Sequence, residues 1–117
     1  LVEDDIAVRH MVERLLITLG YRVLVAENGE AALALQQAEG DRPIDLLLTD
    51  VIMPGMNGRE VAARIKAARP SLKVIFTSGY AEEAIAQDGI LDPGITFLPK
   101  PFVLSDLAAK IREILEG

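Results

Sequence analysis

The stretch Leu46-Leu47-Leu48-Thr49-Asp50-Val51-Ile52-Met53-Pro54-Gly55-Met56-Asn57-Gly58 decides the reading of this chain. Its apolar run predicts a strand buried on both faces, and the run stops on a carboxylate where a Pro and two Gly residues open a loop. Asp50 is thereby expected at the carboxyl end of a central strand. In an open α/β sheet that edge is where ligands and chemistry gather, which weighs against Asp50 being an ordinary solvated loop acid.

A second acidic group sharpens this expectation. Glu3-Asp4-Asp5 follows Leu1-Val2, which reads as the tail of another apolar strand, and precedes apolar residues at Val8, Met11, Val12, Leu15, Leu16 and Leu19 with helical spacing. Asp5 has the simpler reading of a helix-start residue, since acids favour helix amino termini. Parallel strands would bring Glu3, Asp4 and Asp50 into one crevice. Two unit charges about 4 Å apart repel by roughly 4 kcal/mol at an effective dielectric near 20, so such a cluster calls for a cation. Carboxylate-only ligation, with no Cys in the chain, points to a hard ion that takes oxygen ligands, Mg²⁺ first.

Two further strands end on chemistry. Val74-Ile75-Phe76-Thr77-Ser78-Gly79 reads as a buried strand closing on hydroxyls and a small residue. Ile95-Thr96-Phe97-Leu98-Pro99-Lys100-Pro101-Phe102 reads as a short strand closing on a lysine. A Lys ammonium is a compact charge suited to a phosphoryl oxygen, and a hydroxyl can donate a hydrogen bond to the same group.

With acid pair, single Asp, hydroxyl and Lys in this order over its full length, the chain resembles the receiver domain of two-component response regulators, the family of the bacterial chemotaxis regulator. The resemblance implies an α/β, flavodoxin-like three-layer sandwich. Its five-stranded parallel sheet has order 2-1-3-4-5 and carries five helices. It further implies that Asp50 is the phosphoacceptor, Ser78 the hydroxyl (with Thr77 as the alternative) and Lys100 the lysine. By the same resemblance Mg²⁺, replaceable by Mn²⁺, would be held by Asp4, Asp50 and the carbonyl of Ile52, with Glu3 acting through water. Pro54 and Gly58, four and eight residues after the acceptor, match the family's loop. Phe97 stands where the family has a switch aromatic that follows the hydroxyl, although a plain core role fits it equally. Ile52 and Tyr80 occupy the positions that tune attack by water on the acyl phosphate, and as apolar and bulky residues they imply slow dephosphorylation. The Lys100-Pro101 peptide is expected to be cis, as in the family. A histidine kinase or a histidine phosphotransfer domain is the implied partner, and a homodimer is compatible with the family's habits.

Composition sets bounds on this reading. The chain has 117 residues, half of them hydrophobic, with a formal charge of −6. It is therefore expected to form one domain, residues 1–117, with a core and no need of staples. No apolar run reaches membrane-spanning length, no signal segment opens the chain and there is no Lys/Arg-rich run. The expectation is a cytoplasmic domain with no membrane contact and no direct contact to nucleic acid.

Alternating patterns place helices over Ile6–Leu19, Glu30–Glu39, Arg59–Ala68, Glu82–Gln87 (weak) and Leu104–Leu115, with strands at Tyr21–Ala26, Asp45–Thr49 and Val74–Ser78 besides those already named. Leu107, Ile111, Ile114 and Leu115 should face the core. Asn28-Gly29 reads as turn chemistry, and Met53 and Met56 as packing residues. His10 reads as a lone surface histidine, and Glu82-Glu83 as a helix start. Asp88-Gly89-Ile90-Leu91-Asp92-Pro93-Gly94 predicts a short or irregular fourth helix. Pro99 suits an edge strand, which the fifth is in this order. Only Leu1 and Val2 precede the acids, where a central strand needs about five residues, so a first strand truncated at its amino end is expected.

The motif Thr77-Ser78-Gly79-Tyr80, with Leu91-Asp92-Pro93-Gly94 and Phe97 to Phe102, resembles receivers at the carboxyl end of hybrid sensor histidine kinases. A stand-alone regulator is the alternative. Two other classes fit less well. A haloacid-dehalogenase-type phosphatase needs a second Asp where Ile52 stands, and a flavodoxin-like binding module needs a phosphate loop where Glu3-Asp4-Asp5 would repel the ligand.

Overall fold

The computed structural model describes residues 1–78, 95–99 and 102–116, without the side chains of Ser78, Ile95 and Pro99. Among these, three parallel strands form a sheet in the order β1 (Leu46–Asp50), β2 (Lys73–Ser78), β3 (Ile95–Pro99). Leu47 pairs with Val74, and Phe76 with Phe97. Val2 is bridged in parallel to Ala26 on one side and Thr49 on the other. The Val2 nitrogen donates to the Leu48 carbonyl at 2.8 Å, and the Asp50 nitrogen donates back to the Val2 carbonyl at 3.1 Å. On the other flank the Leu1 nitrogen donates to the Leu24 carbonyl, and the Glu3 nitrogen to that of Ala26. Val2 thus occupies an interior place in the sheet.

Of the strand expected over Tyr21–Ala26, this geometry shows a single residue in pairing. Only Ala26 is bridged, to Val2. The central strand runs one residue later than expected and takes in Asp50 itself.

Among the described residues four helices surround the sheet: α1 (Ile6–Thr18), α2 (Gly29–Glu39), α3 (Gly58–Ala68) and α4 (Leu104–Glu116). Strand periodicity divides the apolar side chains between two faces. Leu47, Val74 and Phe76 meet Ala32 of α2 and Val61, Ala62 and Ile65 of α3. Leu48, Ile75 and Leu98 meet Val12 and Leu16 of α1 and Leu107 and Ile111 of α4. The result is three layers, helix on sheet on helix, as the uninterrupted apolar strands require. The stretch expected as the fourth of five helices, Glu82–Gln87, and the irregular segment after it lie outside the described residues. Among the described residues, no helix is long and apolar enough to cross a membrane.

Asn28-Gly29 is not a turn with left-handed backbone. Asn28 caps α2 by accepting from the Ala31 nitrogen at 2.8 Å. Gly29 is needed for space, since a Cβ there would lie 2.8 Å from Val61 Cγ2 and 3.0 Å from Met56 Cβ.

Candidate functional site

The carboxyl edge of the sheet assembles from short connections, each closed by a helix cap. Asp5 caps α1, accepting from the nitrogens of Ala7 (2.9 Å) and Val8 (3.1 Å), as its position in sequence suggests. The cap leaves Glu3 and Asp4 between strand and helix, level with the end of β1. Asn57 caps α3 by accepting from the Glu60 nitrogen at 3.0 Å. The loop from Val51 to Asn57 is pinned at its base, where the Gly58 nitrogen donates to the Val51 carbonyl at 2.8 Å. A Cβ on Gly58 would fall 2.0 Å from the Asp50 carbonyl oxygen. Only a residue without a side chain lets α3 start against the acceptor's backbone, a physical reason for glycine at this point.

The carboxylates of Glu3, Asp4 and Asp50 converge, with one oxygen from each lying within 4.8 Å of the others. Glu3 is 3 % exposed and Asp50 9 %, while Asp4 is open to solvent. Two donors at the start of α1 address Glu3: the Asp5 nitrogen donates to Glu3 Oε1 at 3.2 Å, and the cationic Arg9 guanidinium donates through Nη1 to the Glu3 carbonyl at 2.9 Å. Three ionised carboxylates at such separations repel by about 3 kcal/mol per pair at an effective dielectric near 20. An all-oxygen donor set of this charge fits a hard divalent cation. Mg²⁺–oxygen distances of about 2.1 Å allow two ligating oxygens to be no more than about 4.2 Å apart. A group spread over up to 4.8 Å leaves room for one carboxylate to act through a water molecule.

The remaining expected residues are placed as follows. Thr77, buried, is level with Asp50, and the Val51 nitrogen donates to its carbonyl at 3.0 Å. Ser78 is the next residue of β2 and is paired with Pro99. Ile52 follows the acceptor by two and is half exposed. Phe97 lies beside Phe76 and packs, partly buried, against the core on the α2 and α3 face. Lys100 and Tyr80 lie outside the described residues, as does the Lys100-Pro101 peptide; β3 ends one residue before the lysine. Met53 is buried in the core and Met56 packs on it, as expected of packing residues, and His10 is exposed on α1.

One contact at the site escapes a motif-based reading. Thr49, 1 % exposed, donates its hydroxyl to the Asp50 carbonyl at 2.9 Å. The signal for it is a hydroxyl inside an otherwise apolar strand, because a buried hydroxyl needs a partner.

Residues 1–112 match the family model described as the response regulator receiver domain. The chain is 41 % identical over 116 residues to the sensor kinase CckA of Brucella abortus (strain 2308), covering 99 % of this chain and 12 % of the kinase. It is 38 % identical over 115 residues to the response regulator receiver protein CpdR of the same organism, covering 98 % and 93 % of the two chains. Among solved structures, the receiver domain of the hybrid histidine kinase CckA superposes with a TM-score of 0.83 at 38 % identity, over 97 % of this chain and 94 % of that one. A CheY-like receiver domain from Methanospirillum hungatei JF-1 gives a TM-score of 0.83 at 30 % identity, over 98 % and 90 %.

Proposed function

The chain belongs to the response regulator receiver family, and from that premise we propose that Asp50 accepts a phosphoryl group from a phosphohistidine on a histidine kinase or histidine phosphotransfer domain. The convergence of Glu3, Asp4 and Asp50 at the end of an interior strand carries this reading. In the reaction the Asp50 carboxylate attacks phosphorus, the phosphorus–nitrogen bond breaks, its electron pair returns to the imidazole, and an acyl phosphate is left on Asp50. Asp4, Asp50 and the Ile52 carbonyl would hold Mg²⁺ or Mn²⁺, with Glu3 acting through water. The bound ion would neutralise the crowded charge and orient the phosphoryl oxygens. Lys100 and Ser78 take the other oxygens. Phe97 follows Ser78 inward, which biases a two-state surface. Ile52 and Tyr80 limit the approach of water, so the acyl phosphate is long-lived.

The same premise supports five parallel strands in the order 2-1-3-4-5, with Val2 in the interior strand and Ala26 in the outer one. The bridges on both sides of Val2 favour that arrangement. The chemistry is self-modification, and the domain serves as a switch more than as an enzyme in its own right. A cytoplasmic location agrees with this role.

For context we propose a receiver within a hybrid sensor histidine kinase. The match spanning 12 % of a sensor kinase supports it. A stand-alone regulator is the second reading, favoured by the match to CpdR over 93 % of that protein. The complete gene product distinguishes them.

The phosphoacceptor reading is tested by incubating the protein with acetyl phosphate and following intact mass. Labelling should require Mg²⁺ or Mn²⁺ and should vanish in Asp50→Asn. Equal labelling of Asp50→Asn, or labelling in excess chelator, would overturn it.

A further inference from the structure

We infer that Thr49 is a positioning residue for the acceptor, its hydroxyl locking the Asp50–Val51 peptide so that the Asp50 carboxylate faces Glu3 and Asp4. The inference rests on the proposed metal and phosphoacceptor role of that cluster. The peptide after Asp50 is the pivot of the site, since the carboxylate hangs from one side of it and the loop bearing Ile52 from the other. Three contacts on it and on the peptides to either side are backbone contacts, available to any sequence that folds this way. The Asp50 nitrogen donates to Val2, the Val51 nitrogen donates to Thr77, and the Gly58 nitrogen donates to the Val51 carbonyl. The fourth is chosen by a side chain: Thr49 Oγ1 donates at 2.9 Å to the Asp50 carbonyl oxygen. Gly58 closes the space next to that same oxygen, where no added Cβ fits.

A buried carbonyl deprived of a donor turns to find another, and this one cannot turn without carrying the Asp50 side chain with it. Thr49 is 1 % exposed, so water does not replace the lost hydroxyl without rearrangement. A valine has nearly the same shape and no donor, which makes the strand's apolar pattern indifferent to the change and the site sensitive to it. Groups that orient metal ligands without touching the metal contribute about tenfold or more to affinity.

The test compares Thr49→Val, Thr49→Ala and Thr49→Ser with the wild type. Mg²⁺ alone is titrated by calorimetry, and amide hydrogen exchange at Val51 and Gly58 is followed in metal-free protein. Val and Ala should weaken Mg²⁺ binding about tenfold and speed exchange at both amides, while Ser restores both. Ile65→Val, in the core of α3, serves as a control that lowers thermal stability without moving Mg²⁺ affinity. Unchanged Mg²⁺ affinity in a folded Thr49→Val or Thr49→Ala protein would overturn the inference. So would a failure of both to fold, since the hydroxyl would then serve the fold as a whole. Absence of Mg²⁺ binding by the wild type would instead sink the reading of the acidic cluster.

Discussion

The two edges of the sheet handle charge in opposite ways. At the carboxyl edge, Glu3, Asp4 and Asp50 crowd together beside the starts of α1 and α3. At the amino edge, Arg69 reaches from the end of α3 across to the end of α2. It donates to the carbonyls of Gln36, Gly40 and Arg42 and to Gln36 Oε1, at 2.6 to 3.2 Å. Each arrangement obeys the helix dipole, with anions at helix starts and a cation at helix ends. They differ in their partners. The guanidinium meets neutral oxygens around helix ends, while the three carboxylates crowd within reach of one another. One edge is settled in the folded chain; the other is poised for a cation and for the chemistry proposed at Asp50.

That contrast can be broken first at the acceptor. Asp50→Asn should reduce phosphorylation to background and yet raise stability in metal-free buffer by about 1 kcal/mol, because one of three repelling charges is gone. Chemical denaturation in chelator measures the second effect, and a loss of stability would mean that the cluster is not electrostatically strained. Gly58→Ala should lower stability by about 3 kcal/mol and slow labelling together, since its methyl would displace the Asp50 carbonyl. An unchanged labelling rate in this variant would detach α3 from the site.

At the other edge Arg69→Ala should cost about 2 kcal/mol of stability while labelling by acetyl phosphate stays at the wild-type rate. The same pair of measurements serves, and a slowed reaction would show that the edges are coupled. The smallest effect is expected at the Arg22–Glu39 ion pair nearby, whose guanidinium is exposed. The hydrogen bond and charge of Arg22 hold the Glu39 carboxyl below its usual range. A carboxyl with a depressed folded value contributes stability above the unfolded value of 4.5 that is lost as the pH falls through the folded value. Glu39→Gln should therefore flatten the acid limb of the stability curve slightly, a difference read in thermal melts below about pH 5; an unchanged limb would show that the pair adds no stability.

Much of this was legible locally. Apolar runs that end on Asp50 and Ser78 gave two strands to within a residue, and Asp5 marked a helix start that the structure places beside it. The acidic cluster was legible because acids at the ends of neighbouring strands share an edge. Pairing across long stretches of chain was not. Tyr21–Ala26 has strand composition but finds a ladder partner only at Ala26, and composition does not reveal how many partners exist. Asn28-Gly29 has the composition of a turn, and only the approach of Val61 and Met56 shows why glycine is there. Arg69 gave no sign of its role, because three of its four acceptors are backbone oxygens that any residue supplies.

The interior place of Val2 bears on the order in which the molecule assembles. Pairing β1 with β2 closes the chain through α3 alone, whereas seating Val2 beside Thr49 closes it through α1 and α2 together. The longer closure costs more entropy and returns few contacts, so it comes late. Glu3 and Asp4 arrive with Val2. Repulsion with Asp50 is then met only after the rest of the core has formed, and it burdens the last stage of folding while sparing the nucleus. Val2→Ala should accordingly speed unfolding and leave the folding rate nearly unchanged in a stopped-flow denaturant series, the behaviour of a residue whose contacts form after the barrier.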